Sequence, residues 1–190
     1  MRTFGHMAEQ EGRQAEALRE ITITLDTYDD IFSDFDPRPY EERELSEDFL
    51  KEIGRRYLES RHGRFEVRFT IPPSMRELRS ESLIKKRLRE HFASMVAREQ
   101  EIITRTKNKG YLYIAIGILV LLADAYFFFI LNDENVLYHL LTILLVPAGW
   151  YGMFTGIGKV VDEPFDSVER KKIHEKFEKA SYIFISDERE

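Results

Sequence analysis

Five aspartates crowd one short stretch of this 190-residue chain: Asp26, Asp29, Asp30, Asp34 and Asp36. Clustered carboxylates are hard oxygen ligands, the chemistry that holds Mg²⁺ or Ca²⁺. They also follow a strand-like segment, and in open α/β sheets ligands bind outside the carboxyl ends of the strands. Against this, the order Asp34-Phe35-Asp36-Pro37-Arg38 lacks the glycine and the distal glutamate of a calcium loop. No serine, cysteine or lysine stands poised beside it as a nucleophile, and there is no glycine-rich phosphate loop. Turn-forming and capping aspartates paired with Arg38 and Arg43 explain the run without a ligand. No catalytic residue and no cofactor is therefore assigned, and a metal-dependent enzyme using this loop ranks third among the function classes considered.

A second kind of chemistry lies in the apolar part of the chain. Asp124 sits about seven residues from the outer end of an apolar stretch, where a carboxylate costs at least about 2.5 kcal/mol and should face a partner, a water-filled space or another subunit. By depth its neighbours are Thr142 and, one turn nearer the outside, His139. Asp124, His139 and Thr142 thus form a candidate intramembrane polar cluster. It either locks two helices together by hydrogen bonding or lines a proton-sensitive path. Ala148, Gly152 and Gly156 recur every four residues on the neighbouring stretch, a small-residue stripe that lets helix backbones approach closely. It packs either on the first stretch of the same chain or on a second copy. Pro147 should kink the helix that contains it and free a carbonyl near Ile143.

The elements that hold these groups are read from hydropathy. Residues 111–131 and 136–161 are apolar, each about the 20 residues needed to cross roughly 30 Å of hydrocarbon. Only residues 132–135 separate them, so they predict a transmembrane helical hairpin. Lysine and arginine lie on its flanks, Arg105, Lys107 and Lys109 before it and Lys159 after it, while the intervening loop has only Asp133 and Glu134. This places both termini in the cytoplasm and the loop outside. The basic face from Lys85 through Lys109 satisfies the same rule as a solvated helix face, and an anionic leaflet would add to its attraction. Tyr111, Tyr113, Trp150 and Tyr151 are interfacial anchors, Trp150 lying rather deep for that role.

The remainder is polar: 33% of the chain is charged and its net charge is -6. That acidity disfavours nucleic acid as a partner. With no cysteine, disulfides and thiolate metal sites are excluded. His62, His91 and His174 show no metal-ligand spacing. Residues 1–20 read as a flexible or helical leader without the apolar core of a signal peptide. Ile21, Ile23 and Leu25 alternate with polar residues, as do Phe65, Val67, Phe69 and Ile71, and both patterns predict half-buried strands. Between them, Leu45, Phe49, Leu50, Ile53 and Tyr57 share one helical face, with Ser46 as cap and Gly63 as terminator. A long helix from about Met75, with Ile84, Leu88, Phe92 and Met95 on one face, leads toward the membrane. After the hairpin, a short helix capped by Asp166 or Ser167 precedes Ser-Tyr-Ile-Phe-Ile-Ser at 181–186. That third strand is apolar on both faces and is expected between the first two, as in a split β-α-β arrangement.

The expected fold is an α+β membrane protein, a two-helix transmembrane hairpin inserted in a small cytoplasmic three-stranded α/β domain. Residues 21–106 and 162–190 form that discontinuous domain, and residues 107–161 the hairpin. Asp30-Ile31-Phe32-Ser33-Asp34-Phe35-Asp36-Pro37-Arg38-Pro39-Tyr40, followed by Leu45-Ser46-Glu47-Asp48-Phe49-Leu50, resembles a motif of small prokaryotic two-span membrane proteins to which no activity is assigned. The resemblance covers about a ninth of the chain; it implies a prokaryotic inner membrane and no catalytic residue or ligand. The leading expectation is a non-enzymatic, membrane-anchored module for protein interaction, signalling or self-assembly, with the lipid bilayer, a second copy and a protein partner as candidate contacts. The alternative is an oligomeric, channel-like effector gated by its soluble domain.

Overall fold

The computed structural model describes residues 19–59, 65–131 and 136–186. Residues 1–18 of the expected leader, His62, Gly63 and the loop at 132–135 lie outside the described residues, whereas Arg19 and Glu20 belong to the first strand. Three strands, β1 (Arg19–Thr24), β2 (Phe65–Ile71) and β3 (Ser181–Ser186), form one parallel sheet. Four helices accompany them: α1 (Glu47–Glu59), α2 (Leu78–Leu131), α3 (Val136–Val161) and α4 (Phe165–Glu178). Helices α2 and α3 contain the two stretches long and apolar enough to cross a membrane.

The strand order is β1-β2-β3, so β2 is central and β3 takes the outer edge. This corrects the expected split arrangement. The register aligns Ile23, Phe69 and Phe184 across the sheet. On that face Ile21, Ile23, Leu25, Val67, Phe69, Ile71, Tyr182 and Phe184 are all buried. On the other face Thr22 and Thr24 are exposed, Arg68 pairs with Glu66 at 2.9 Å, and Ile185 keeps 37% of its surface in solvent. Apart from the buried Glu66, the described side chains of that second face are exposed or half-buried, so the apolar packing is concentrated on one face. The central strand can therefore alternate apolar and polar residues, and β3 can have apolar residues on both faces while standing at the edge.

Aromatic side chains fill the packed face. Phe69 lies 5.0 Å from Phe184 and 6.0 Å from Phe49 of α1. Phe92 of α2 stacks on Phe177 of α4 at 4.8 Å, and Tyr57 meets the same ring at 5.4 Å. Ile84 and Leu88 are fully buried, as the four-residue spacing predicts.

Two helix limits differ from expectation. Helix α2 starts at Leu78 rather than about Met75, which ends a short 3₁₀ turn, and then runs as one 54-residue helix through Asn108 and Gly110. Helix α4 begins at Phe165, just after Pro164, so Ser167 lies inside it rather than at its cap. There Ser167 is buried and its hydroxyl accepts from Arg170 at 2.9 Å.

The described residues divide into two compact units, one made of those up to Ala93 and from His174, the other of those within Ser94–Ile173. The second is wider than the apolar residues alone. Its helices stay paired beyond them, Arg170 of α4 meeting Glu99 of α2 through Nε at 3.0 Å and Nη2 at 3.3 Å.

Candidate functional site

The aspartate-rich loop is closed at its neck by an isolated antiparallel bridge between Phe32 and Leu45. Ser33 N–H donates to Glu44 O at 2.8 Å, and Ser46 N–H to Ile31 O at 3.0 Å. Within the loop the carboxylates are bound to the chain itself. Asp30 accepts the backbone N–H groups of Asp26 and Thr27, at 2.7 and 3.0 Å, at the start of a short 3₁₀ turn. Asp29 pairs with Arg43 and accepts from the Tyr40 hydroxyl. Asp36 takes the Arg38 guanidinium in a two-pronged grip, Nε at 2.9 Å and Nη2 at 2.7 Å, and also accepts the N–H groups of Arg38 and Glu44. The Arg38 hydrogen bond is the main reason that the Asp36 carboxyl titrates far below the ordinary carboxylate range. Tyr40 stacks on Phe32 at 5.1 Å, and the Arg43 guanidinium covers that ring at 5.6 Å.

Asp29, Asp30 and Asp36 are thus loop-building groups, although only Asp36 is buried, while the carboxylates of Asp26 and Asp34 meet no donor among the described residues. Among the described residues no three His, Cys, Asp or Glu side chains come together as a metal site. What the loop presents outward is Phe35, 98% exposed, between Asp34 and the buried Asp36.

A second polar cluster was not legible in the sequence. At the carboxyl ends of the strands, Tyr28 donates from its hydroxyl to Glu81 at 3.4 Å and accepts Glu77 N–H at 2.9 Å. Arg76 holds the buried Glu81 through Nε at 2.8 Å and reaches the Ser186 hydroxyl at 3.2 Å. Burial is the first cause of the raised Tyr28 pKa. Arg76 and Glu81 are five residues apart, but Tyr28 and Ser186 come from distant parts of the chain, so no local spacing could reveal the cluster. They bind the ends of all three strands to the first turn of α2.

The apolar helices form an antiparallel pair whose seam is built from glycine. A Cβ on Gly117 would lie 2.6 Å from Gly149 O and 2.8 Å from Met153 N; on Gly156, 2.6 Å from Gly110 O. Gly152 faces the Gly117 Cα at 3.1 Å by the same measure. Gly152 and Gly156 therefore pack within the chain. Ala148 is exposed, and the buried Gly149 occupies the place the four-residue spacing gave to Ala148. Gly110 and Gly117 supply the opposing surface, a second stripe with spacing too wide to be noticed.

At the far end of the seam Thr142 donates to Asp124 at 2.8 Å. The structure thus joins Asp124 to Thr142, while His139 is exposed. Near the other end Lys159 pairs with Glu163 at 2.7 Å, its ammonium 6.0 Å from the Tyr113 ring. Arg105 pairs with Glu101, whereas Lys107 and Lys109 have no ion-pair partner among the described residues.

Comparison with protein families, curated proteins and solved structures finds no match.

His91 and His174, apparently scattered in the sequence, flank the same ring. Phe92 lies 5.4 Å from His91 and 6.1 Å from His174. Burial first, then the charges of Arg87 and His174, lower the His91 pKa.

Proposed function

We propose that this is a two-span protein of a prokaryotic inner membrane, with both termini in the cytoplasm and its helical hairpin inserted between β2 and β3 of an α/β unit. We read that unit as a non-catalytic module for protein interaction, signalling or self-assembly. The observation behind the membrane reading is where the apolar surface goes. Glycine fills the seam, so the large side chains turn outward: Leu119, Leu122, Phe129, Ile143, Leu144 and Phe154 are all at least 60% exposed. In water such a surface far exceeds the patches a monomer tolerates, whereas lipid tails match it.

For the α/β unit, the loop geometry favours binding over chemistry. Its carboxylates are used to rigidify the loop, and a rigid loop that presents an aromatic side chain offers a preorganised anchor for a protein surface. Residues 26–48 hold ten Asp and Glu against Arg38 and Arg43, a formal charge of −8. That charge repels phosphates and anionic headgroups and favours a basic protein surface. A photoreactive phenylalanine analogue at position 35 of the full-length chain, expressed in its native membrane, tests this. Adducts with a protein at position 35, absent when the analogue replaces the exposed Leu58 and weakened by salt, are expected. Equal labelling from both positions contradicts the reading.

A further inference from the structure

The seam with α2 leaves another face of α3 uncovered, and that face holds two polar backbone and side-chain groups. Ile143, Pro147, Trp150 and Phe154 follow at intervals of four, three and four residues and so share one side of the helix. All four are exposed. Proline has no N–H, so the Ile143 carbonyl loses its α-helical donor at Pro147. The Trp150 ring stacks on Phe154 at 5.4 Å, and among the described residues no acceptor meets its indole N–H. Helical side chains lean toward the N-terminus while carbonyls point toward the C-terminus, so this donor and this acceptor both lie near the level of Pro147.

Depth makes the pair consequential. Trp150 is nine residues from Lys159, which puts it roughly 13 Å into a core about 30 Å thick, deeper than the belt where tryptophan meets headgroup acceptors. Lipid tails offer neither donor nor acceptor at that level, and unpaired polar groups there are costly. An N–H without an acceptor and a C=O without its helical donor, at one depth on one face, are complementary to themselves.

We propose that a second copy of this chain covers this face. A two-fold axis along the membrane normal keeps every residue at its own depth and makes the contact isologous. The Trp150 indole of each copy then donates to the Ile143 carbonyl of the other, on either side of facing Pro147 residues. This rests on the membrane reading above and assigns to the outer face of α3 the self-association that the glycines, spent inside the hairpin, do not provide.

The chain has no cysteine, so single-cysteine variants of the full-length protein report the contact. Ile143→Cys and Phe154→Cys on the face, and Leu122→Cys and Phe129→Cys on the exposed side of α2, are placed in phosphatidylcholine–phosphatidylglycerol vesicles, washed with alkaline carbonate, and oxidised. Disulfide-linked dimers at 143 and 154, with far fewer at 122 and 129, are expected. Trp150→Phe keeps the ring and deletes the donor; with two interhelical hydrogen bonds at stake, it should weaken association about tenfold. Pro147→Ala, which returns a donor to Ile143, should act in the same direction. Equal cross-linking at all four positions, or dimers undiminished by Trp150→Phe, overturns the proposal. Release of the chain by carbonate overturns this proposal and the membrane reading together, whereas a retained but monomeric chain overturns this proposal alone.

Discussion

Asp36 spends both carboxylate oxygens inside its own loop, on Arg38 and on the backbone N–H of Glu44. Asp36→Ala removes those acceptors together. We expect faster amide exchange at Glu44 and new protease cleavage within 33–44, with Asp36→Asn intermediate; an unchanged exchange pattern would contradict the clamp. Because the folded carboxyl titrates below its ordinary value of 3.8, the clamp is complete above that pH and is lost as pH falls through the lowered value. His91 has the same sign in a different window. Its folded pKa lies below the ordinary 6.5, so the unfolded chain takes up the proton first and stability falls as pH drops from about 6.5 toward the lowered value. His91→Gln should flatten the dependence of the unfolding midpoint on pH in that window, leaving the neutral-pH fold intact. At this scale the sequence showed the aspartates and their turn-forming role, with Arg38 and Arg43 as partners. It hid the cluster around Arg76 and Glu81, because only tertiary contacts bring Tyr28 and Ser186 to that local pair.

Glycine decides what the helices can do. Gly54, inside α1, has open space where a Cβ would go, so Gly54→Ala should stabilise the α/β unit by about 0.5–1 kcal/mol, read as a higher thermal midpoint. Gly117 is the opposite case. Its Cβ would collide with the backbone of α3, and Gly117→Leu should splay the hairpin, whereas Gly158→Ala, with only Asp162 Oδ2 at 3.8 Å, should be tolerated. Distance measurements between spin labels on α2 and α3 distinguish the two; equal effects would contradict the seam. Thr142→Val deletes the hydrogen bond to Asp124 and should cost on the order of 1 kcal/mol of hairpin stability in lipid. Strands and amphipathic faces were legible because period-two and four-residue spacing survive when one side of an element is packed. The position of β3 was not. Tyr182, Ile183, Phe184 and Ile185 are apolar in succession, which reads as burial on both sides, yet Ile185 faces solvent at the sheet edge. The stripe differs from the four-residue spacing by one residue, Gly149 in place of Ala148, because spacing alone does not say which side of a helix meets its partner.

For the molecule as a whole, the chain passes between its compact units twice, once within α2 after Ala93 and once within α4 before His174. In the proposed topology the hairpin therefore enters and leaves the membrane on the side of the α/β unit. Labelling of single cysteines with a membrane-impermeant maleimide tests this central claim most directly, since the parent chain has none. At exposed positions, Glu41→Cys before the first span and Lys172→Cys after the second should be protected in intact cells and labelled only after permeabilisation, while Glu134→Cys between the spans should be labelled in intact cells. Labelling of one flank but not the other in intact cells, or protection of Glu134→Cys alongside both flanks, would contradict a hairpin that crosses the membrane twice.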